Sequence, residues 1–112
     1  MTAPAWQPFS VTVSTDPDRA TVYLRGELDL SGVDRAREAI EQAEAGTDGL
    51  LVLDLSQLEF IDSTGLEVML RAARRASDAG RRLIVRKPSS YVRRLLEMTA
   101  LDQSLDIVED VV

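Results

Sequence analysis

Strand-like and helix-like stretches alternate along this chain after two strands that are separated by a very short turn. Residues 9–15 and 21–28 each alternate between apolar and polar side chains, which predicts two half-buried strands. Residues 16–18 read Asp-Pro-Asp, a turn signal, so the two strands must pair as an antiparallel hairpin. The apolar run at residues 50–55 then predicts a central strand.

Helical periodicity fills the intervals between the later strands. Ser31 is the predicted N-cap of a first helix that stops at Gly46, and a second helix follows Ser63 and ends at Gly80. The remaining predicted elements are a fourth strand at residues 82–86, a third helix opened by Pro88 and Ser89, and a short edge strand at residues 105–108. The order ββαβαβαβ predicts an α/β domain with a mixed central sheet and with helices packed mainly on one face.

The length of 112 residues allows one domain, which we place at residues 9–112 after a disordered tail at residues 1–8. The sequence contains neither cysteine nor histidine. Disulfides, thiolate metal sites and the common Ser-His and Cys-His nucleophile pairs are therefore excluded. Any catalysis would have to use the remaining polar side chains.

The net charge of −6 disfavours binding to nucleic acid or to anionic lipid. The first residues carry neither a basic start nor an apolar stretch, so they do not form a signal peptide. No apolar run approaches the roughly 20 residues that a membrane-spanning helix needs. We therefore expect a soluble, cytoplasmic protein that does not insert into membranes.

The most informative segment is residues 54–66, which carries Asp62, Ser63, Thr64 and Gly65 from the end of a strand into a helix. Backbone N–H groups are unpaired at a helix N-terminus, and the helix dipole there favours negative charge. Ser63 therefore has two interpretations of equal standing. It is either the N-cap of the helix or a hydroxyl that can carry a phosphate without disturbing the fold.

Three aspartates, Asp29, Asp54 and Asp62, are predicted at or just after strand ends, where ligands gather in open α/β sheets. Together they would suit Mg²⁺, and Asp54 alone suits a receiver-like domain that accepts a phosphate. The favoured interpretation is structural: the aspartates cap turns, and Ser56 caps the turn after Asp54. A receiver-like site also needs a paired acidic cluster after the first strand and a late lysine, and neither is in place.

Several stretches of the chain resemble anti-sigma factor antagonists, the STAS-domain family of bacteria. They are Gly-Glu-Leu-Asp at residues 26–29, Leu-Asp-Leu-Ser at 53–56, Phe-Ile-Asp-Ser-Thr-Gly-Leu at 60–66, Gly-Arg-Arg-Leu at 80–83, and residues 88–102. The resemblance covers about residues 9–108, and the Asp-Ser-Thr-Gly segment is its most specific part.

The resemblance implies the same ββαβαβαβ fold and a role in transcription regulation, such as a stress response. The protein would bind an anti-sigma factor that is also a serine kinase, and so release a sigma factor. That kinase would phosphorylate Ser63 and end the interaction, and a PP2C-type phosphatase would reverse the modification. The protein would be a kinase substrate and not an enzyme, with no catalytic residue, cofactor or metal.

The residues expected to contact the partner surround Ser63. They are Asp29, Asp62, Thr64, Gly65, Leu66 and Glu67. An alternative role is an unphosphorylated STAS scaffold, or the soluble subunit of a lipid-transport complex. One residue departs from the family pattern, because Glu67 stands where a glycine is usual. We place Glu67 in the first turn of the second helix, where it adds negative charge close to a phosphate on Ser63.

Overall fold

The computed structural model describes residues 8–98 and 105–109. Its elements are β1 (Ser10–Asp16), β2 (Arg19–Leu28), α1 (Val33–Gly46), β3 (Leu50–Ile61), α2 (Ser63–Asp78), β4 (Leu83–Arg86), α3 (Ser90–Met98) and β5 (Asp106–Val108). This order confirms the predicted ββαβαβαβ arrangement. The tail predicted at residues 1–8 lies outside the described residues except for Pro8.

The hairpin forms as the sequence predicts. β1 and β2 pair antiparallel from Ser10 opposite Arg25 to Asp16 opposite Arg19. The Asp16 carboxylate closes the turn, because its Oδ1 accepts hydrogen bonds from the backbone N–H groups of Asp18 and Arg19. This local acceptor explains why so few residues suffice to reverse the chain.

The five strands form one sheet in the order β1-β2-β3-β4-β5. β2 through β5 pair in parallel, while β1 pairs antiparallel with β2, so the sheet is mixed. Each parallel crossover steps to the next strand in the same direction. Because such crossovers are right-handed, all three helices lie on the same face of the sheet. The predicted fold class is confirmed.

The buried core occupies the helix-covered side. Most of its fully buried large side chains come from β2 and β3, among them Leu24, Leu53 and Leu55, and each helix adds one, such as Met69 of α2. The alternate positions of the same strands point to the opposite face and include polar groups such as Thr21 and Tyr23. This alternation separates an apolar packing face from a more polar one.

β3 is longer than the sequence predicts. The apolar run at residues 50–55 suggests a strand that ends near Asp54, yet β3 continues to Ile61. Its register against β2 shifts between the pair Tyr23–Asp54 and the pair Arg25–Gln57, so β3 carries an extra residue there. Such a bulge breaks the simple alternation of apolar and polar positions, which explains why the second half of β3 does not read as a strand.

Asp54 and Ser56 stabilise this bulge. The Asp54 Oδ1 accepts hydrogen bonds from the backbone N–H of Ser56 at 3.0 Å and from its hydroxyl at 2.6 Å. The Asp54 Oδ2 accepts from Arg86 Nη1 on β4 at 2.8 Å. The hypothesis that Ser56 caps a turn after the strand is therefore wrong in its placement, because Ser56 lies within β3.

Two predicted helix ends are wrong and two are confirmed. Gly32, not Ser31, occupies the N-cap of α1 and provides no side-chain acceptor, while Gly46 is the last helical residue and Thr47 the C-cap. The end of α2 follows the prediction: Gly80 has a φ of 66°, and Arg81 N–H donates to the carbonyl of Ala76. For α3, the Ser89 hydroxyl accepts from the N–H of Val92, as an N-cap does.

The Asp54–Arg86 ion pair provides a test of the fold. The Asp54 side chain is only 4% exposed and that of Arg86 28%. Asp54→Ala removes the ion-pair partner of the Arg86 guanidinium and the single oxygen that accepts both hydrogen bonds from Ser56 at the bulge. We expect a loss of about 3 kcal/mol in the free energy of unfolding, measured by urea denaturation.

Asp34→Ala is the matched control. Asp34 pairs with Arg37 at 2.7 Å, but its side chain is 77% exposed, so its removal should lower the free energy of unfolding by less than about 1 kcal/mol. Equal effects of the two substitutions would contradict a structural role for the buried pair.

Candidate functional site

The ends of β2 and β3 bring two loops together. Leu28 pairs with Ile61, and the N–H of Asp62 donates to the carbonyl of Leu28 at 3.1 Å. Asp29 and Asp62 are the residues that directly follow this pair. The prediction that Asp29 lies beside the loop of Ser63 is confirmed.

Asp62 is the N-cap of α2. Its Oδ1 accepts hydrogen bonds from the backbone N–H groups of Thr64 at 3.0 Å and Gly65 at 3.1 Å, and from the Thr64 hydroxyl at 2.6 Å. The carboxylate thus satisfies N–H groups that have no partner within the helix. The interpretation of Ser63 as the N-cap is therefore wrong.

Ser63 is the first residue of α2, and its side chain is exposed. Its hydroxyl makes no hydrogen bond within residues 8–98 and 105–109. Ser63 therefore has no capping duty, and its Oγ faces solvent at the positive end of the helix dipole. Of the two interpretations of Ser63 that the sequence left open, N-cap or exposed hydroxyl, the structure supports the exposed hydroxyl.

Gly65 and Leu66 are buried, so neither offers a surface that a partner can contact directly. A Cβ atom at Gly65 would lie 2.7 Å from Cγ1 of Ile61 and 2.9 Å from Cγ of Leu28. Gly65 therefore lets the first turn of α2 pack directly on the paired strand ends. Both residues hold the loop in place from within the core, which corrects their expected role as contact residues.

Asp29 is exposed and bound to its own loop. Its Oδ1 accepts from the Ser31 hydroxyl at 2.6 Å and from the Ser31 N–H at 2.9 Å. The hydroxyl first, and then the backbone N–H, lower the pKa of the Asp29 carboxyl below its ordinary value. Asp29 is therefore a fixed negative charge at neutral pH. The stability gained from these bonds is present above the unfolded-state pKa and is lost as the pH falls through the folded-state pKa.

Glu67 opens the second turn of α2 and not the first turn predicted from the sequence, because the helix begins at Ser63. Its Oε1 accepts hydrogen bonds from Arg71 Nη2 at 2.9 Å and Nε at 3.2 Å. Both side chains are more than half exposed, at 59% and 66%. The i,i+4 pair that the sequence predicts is thus formed at the surface.

A groove of about 300 Å³ lies between α1 and α2, and Thr64 and Glu67 line one end of it. Its apolar lining comes from Leu30, Val33 and Val68. Leu30 is 74% exposed, an unusual degree for a leucine, and it was not among the residues predicted from the sequence. Its position directly after Asp29 was the signal that could have found it.

The three aspartates do not converge on one site. Asp54 lies within β3 and is 3% exposed, whereas Asp29 and Asp62 follow the strand ends. No group of three acidic side chains suited to a cation occurs in the part of the chain that the structure describes. Both carboxylate oxygens of Asp54 already accept hydrogen bonds, so the receiver-like hypothesis finds no accessible acceptor there. Within the same residues, no helix is long and apolar enough to span a bilayer.

Alanine substitutions at Asp62 and Ser63 test which of the two residues caps α2. Asp62→Ala removes the acceptor for two backbone N–H groups and should lower the free energy of unfolding by about 1 kcal/mol. Ser63→Ala removes an exposed hydroxyl and should change it by less than about 0.5 kcal/mol. Thermal and urea unfolding measure both. A larger effect at Ser63 than at Asp62 would restore Ser63 as the cap.

Known proteins share both the sequence pattern and the fold. The family model described as "Mlab, STAS domain" matches residues 11–109. The anti-sigma-F factor antagonist RsfB of Mycobacterium tuberculosis is 30% identical over 96 residues, which cover 86% of this chain and 78% of RsfB. The anti-sigma-B factor antagonist of Listeria monocytogenes is 28% identical over 92 residues, or 82% of this chain and 81% of the relative.

The fold has a solved counterpart. The crystal structure of an anti-sigma factor antagonist from Mycobacterium paratuberculosis superposes with a TM-score of 0.76 at 25% identity, covering 99% of this chain and 92% of the other. Together with the sequence matches, this confirms the resemblance seen in the motifs. The chain belongs to the STAS-domain family.

Proposed function

We propose that this protein is an anti-sigma factor antagonist that is switched off by phosphorylation of Ser63. The unmodified protein binds an anti-sigma factor and thereby releases a sigma factor. The observation that carries the proposal is the exposed Ser63 hydroxyl beside a cap that Asp62 provides. The two curated relatives described above, both antagonists by name, support the choice of partner.

The docking surface consists of Asp29, Asp62, Ser63, Thr64 and Glu67, all exposed or half-buried around the strand ends. Gly65 and Leu66 are buried beneath this surface and fix the position of the first turn of α2. Because Leu28 and Ile61 anchor this turn to the sheet, the docking surface is held ready before the partner arrives. Binding then costs little ordering of the backbone.

The anti-sigma factor acts as the kinase. The Ser63 Oγ attacks the γ-phosphorus of ATP held by the kinase, the bond to the β-phosphate oxygen breaks, and ADP leaves. A base of the kinase takes the hydroxyl proton. The new phosphate lies at the N-terminus of α2, where the helix dipole favours negative charge. The fold therefore accepts the modification.

The interface does not accept it. The phosphate adds about 1.5 to 2 negative charges beside Asp29, Asp62 and Glu67. Burying that charge without a cationic partner costs about 3 to 5 kcal/mol. At about 1.4 kcal/mol per decade, the affinity falls by about 10² to 10⁴-fold, and the partners separate.

A PP2C-type phosphatase completes the cycle by hydrolysing the serine–phosphate bond, which releases inorganic phosphate and restores the hydroxyl. The protein itself is the substrate in both directions and not an enzyme. A kinase that draws on ATP places the encounter in the cytoplasm.

A second candidate function is supported by the family model, whose description names Mlab and not an antagonist. In that case the chain is an unphosphorylated STAS scaffold or the soluble subunit of a lipid-transport complex. The two candidates differ in their dependence on Ser63, since a scaffold keeps its partner when Ser63 carries a negative charge.

Phosphorylation gives the first test of the proposal. Each anti-sigma factor kinase encoded by the source bacterium is purified and incubated with this protein and ATP. We expect one of them to add a single phosphate, which peptide mass spectrometry places on Ser63. Addition to Thr64 or to another serine would overturn the assignment of the site.

Binding gives the second test. Ser63→Ala should bind the same kinase with unchanged affinity and resist modification. Ser63→Asp should bind at least 10²-fold more weakly and keep its melting temperature within a few degrees of the wild type, because the fold tolerates charge at this position. Full binding by Ser63→Asp would favour the scaffold, whereas a collapse of its melting temperature would show that the effect comes from unfolding.

A further inference from the structure

Ser63, Glu67 and Arg71 form one row along the surface of α2, because they are spaced four residues apart. All three side chains are exposed. Neighbouring side chains in such a row have Cβ atoms about 5 to 6 Å apart. A partner that covers Ser63 therefore also covers Glu67.

The charged groups around Ser63 are mainly acidic. Asp29 and Asp62 flank it at the strand ends, and Glu67 follows it on the helix. Within the described ranges 8–98 and 105–109, no Arg or Lys side chain pairs with Asp29 or Asp62. Arg71 is the cation of this row, and its Nε and Nη2 are both directed at Glu67 Oε1.

The second carboxylate oxygen of Glu67 is available to accept a hydrogen bond from a partner. Oε2 accepts no hydrogen bond from any described residue, so water must solvate it in the free protein. A docked partner displaces that water. A carboxylate that loses water without gaining a donor opposes binding, whereas an added cation turns the same group into a favourable contact.

We infer that Glu67 determines the specificity of the docking surface by selecting a partner that presents an arginine or lysine side chain to Glu67, so that this cation is already paired and is not available to a phosphate on Ser63. The inference rests on the proposed function and adds the chemistry of the partner to it. Partners with a neutral or acidic surface at this position are rejected because they leave Glu67 desolvated and incompletely paired.

The charges that line the groove between α1 and α2 also favour a partner that brings its own cation. Each arginine that lines it is already paired within the protein: Arg37 with Asp34 at 2.7 Å, Arg71 with Glu67 at 2.9 Å, and Arg75 with Glu44 at 2.9 Å. The groove therefore presents no unpaired arginine to attract an acidic segment. Glu67 adds an open acceptor at the end nearest Ser63.

The test measures the affinity of the purified anti-sigma factor kinase that phosphorylates the wild type. Calorimetry compares wild type, Glu67→Gln and Glu67→Arg, with Glu97→Gln as the control, since Glu97 is an exposed acid on α3. We expect Glu67→Gln to weaken binding by about 30-fold and Glu67→Arg by at least about 10²-fold. Glu97→Gln should bind like the wild type.

A reciprocal substitution makes the test specific. Surface arginines and lysines of the kinase are changed to glutamate one at a time, and one such variant should recover at least 10-fold in affinity for Glu67→Arg while losing affinity for the wild type. Thermal melts of all variants verify that each is folded.

The outcomes separate the inference from the proposed function. If the wild type binds no anti-sigma factor kinase, the proposed function fails and the inference fails with it. If the wild type binds and Glu67→Gln and Glu67→Arg bind within twofold of it, the proposed function stands and the role of Glu67 is overturned. A loss of affinity in the Glu97→Gln control would also overturn the role of Glu67, because net charge alone would then govern binding.

Discussion

The Asp62 carboxylate is the group on which the organisation of the site depends. It accepts the N–H groups of Thr64 and Gly65 and so starts α2 immediately after β3 ends. Because Asp62 performs the capping, Ser63 is left with an exposed hydroxyl and no structural duty. Ser63 can be modified without loss of the helix cap, because its neighbour Asp62 provides that cap.

The rest of the site likewise combines buried residues that hold the structure with exposed residues that face a partner. Gly65 brings the first turn of α2 within van der Waals contact of Leu28 and Ile61, two fully buried residues at paired strand ends. The surface above this rigid base is polar and acidic. A phosphate there changes the electrostatics that a partner meets, while the core beneath keeps its packing. A switch of this kind needs no conformational change in the protein itself.

The sequence predicted the element order because apolar periodicity and turn residues are local signals, as at Gly80 and Ser89. It missed the second half of β3, since the bulge held by Asp54 depends on Arg86, which is 32 residues away. It assigned the cap to Ser63 because serine and aspartate both suit that position, and only the backbone geometry distinguishes them. Leu30 escaped notice because an exposed apolar side chain in a loop has no periodic pattern.

The most direct measurement compares unmodified protein with protein that carries one phosphate on Ser63, using calorimetric titration against the same anti-sigma factor and amide NMR spectra of both forms. We expect an affinity at least 10²-fold lower for the phosphorylated form, with amide chemical-shift changes confined to residues around the start of α2. Equal affinities would contradict the switch. Spectral changes throughout the sheet would contradict the claim that the fold accepts the phosphate.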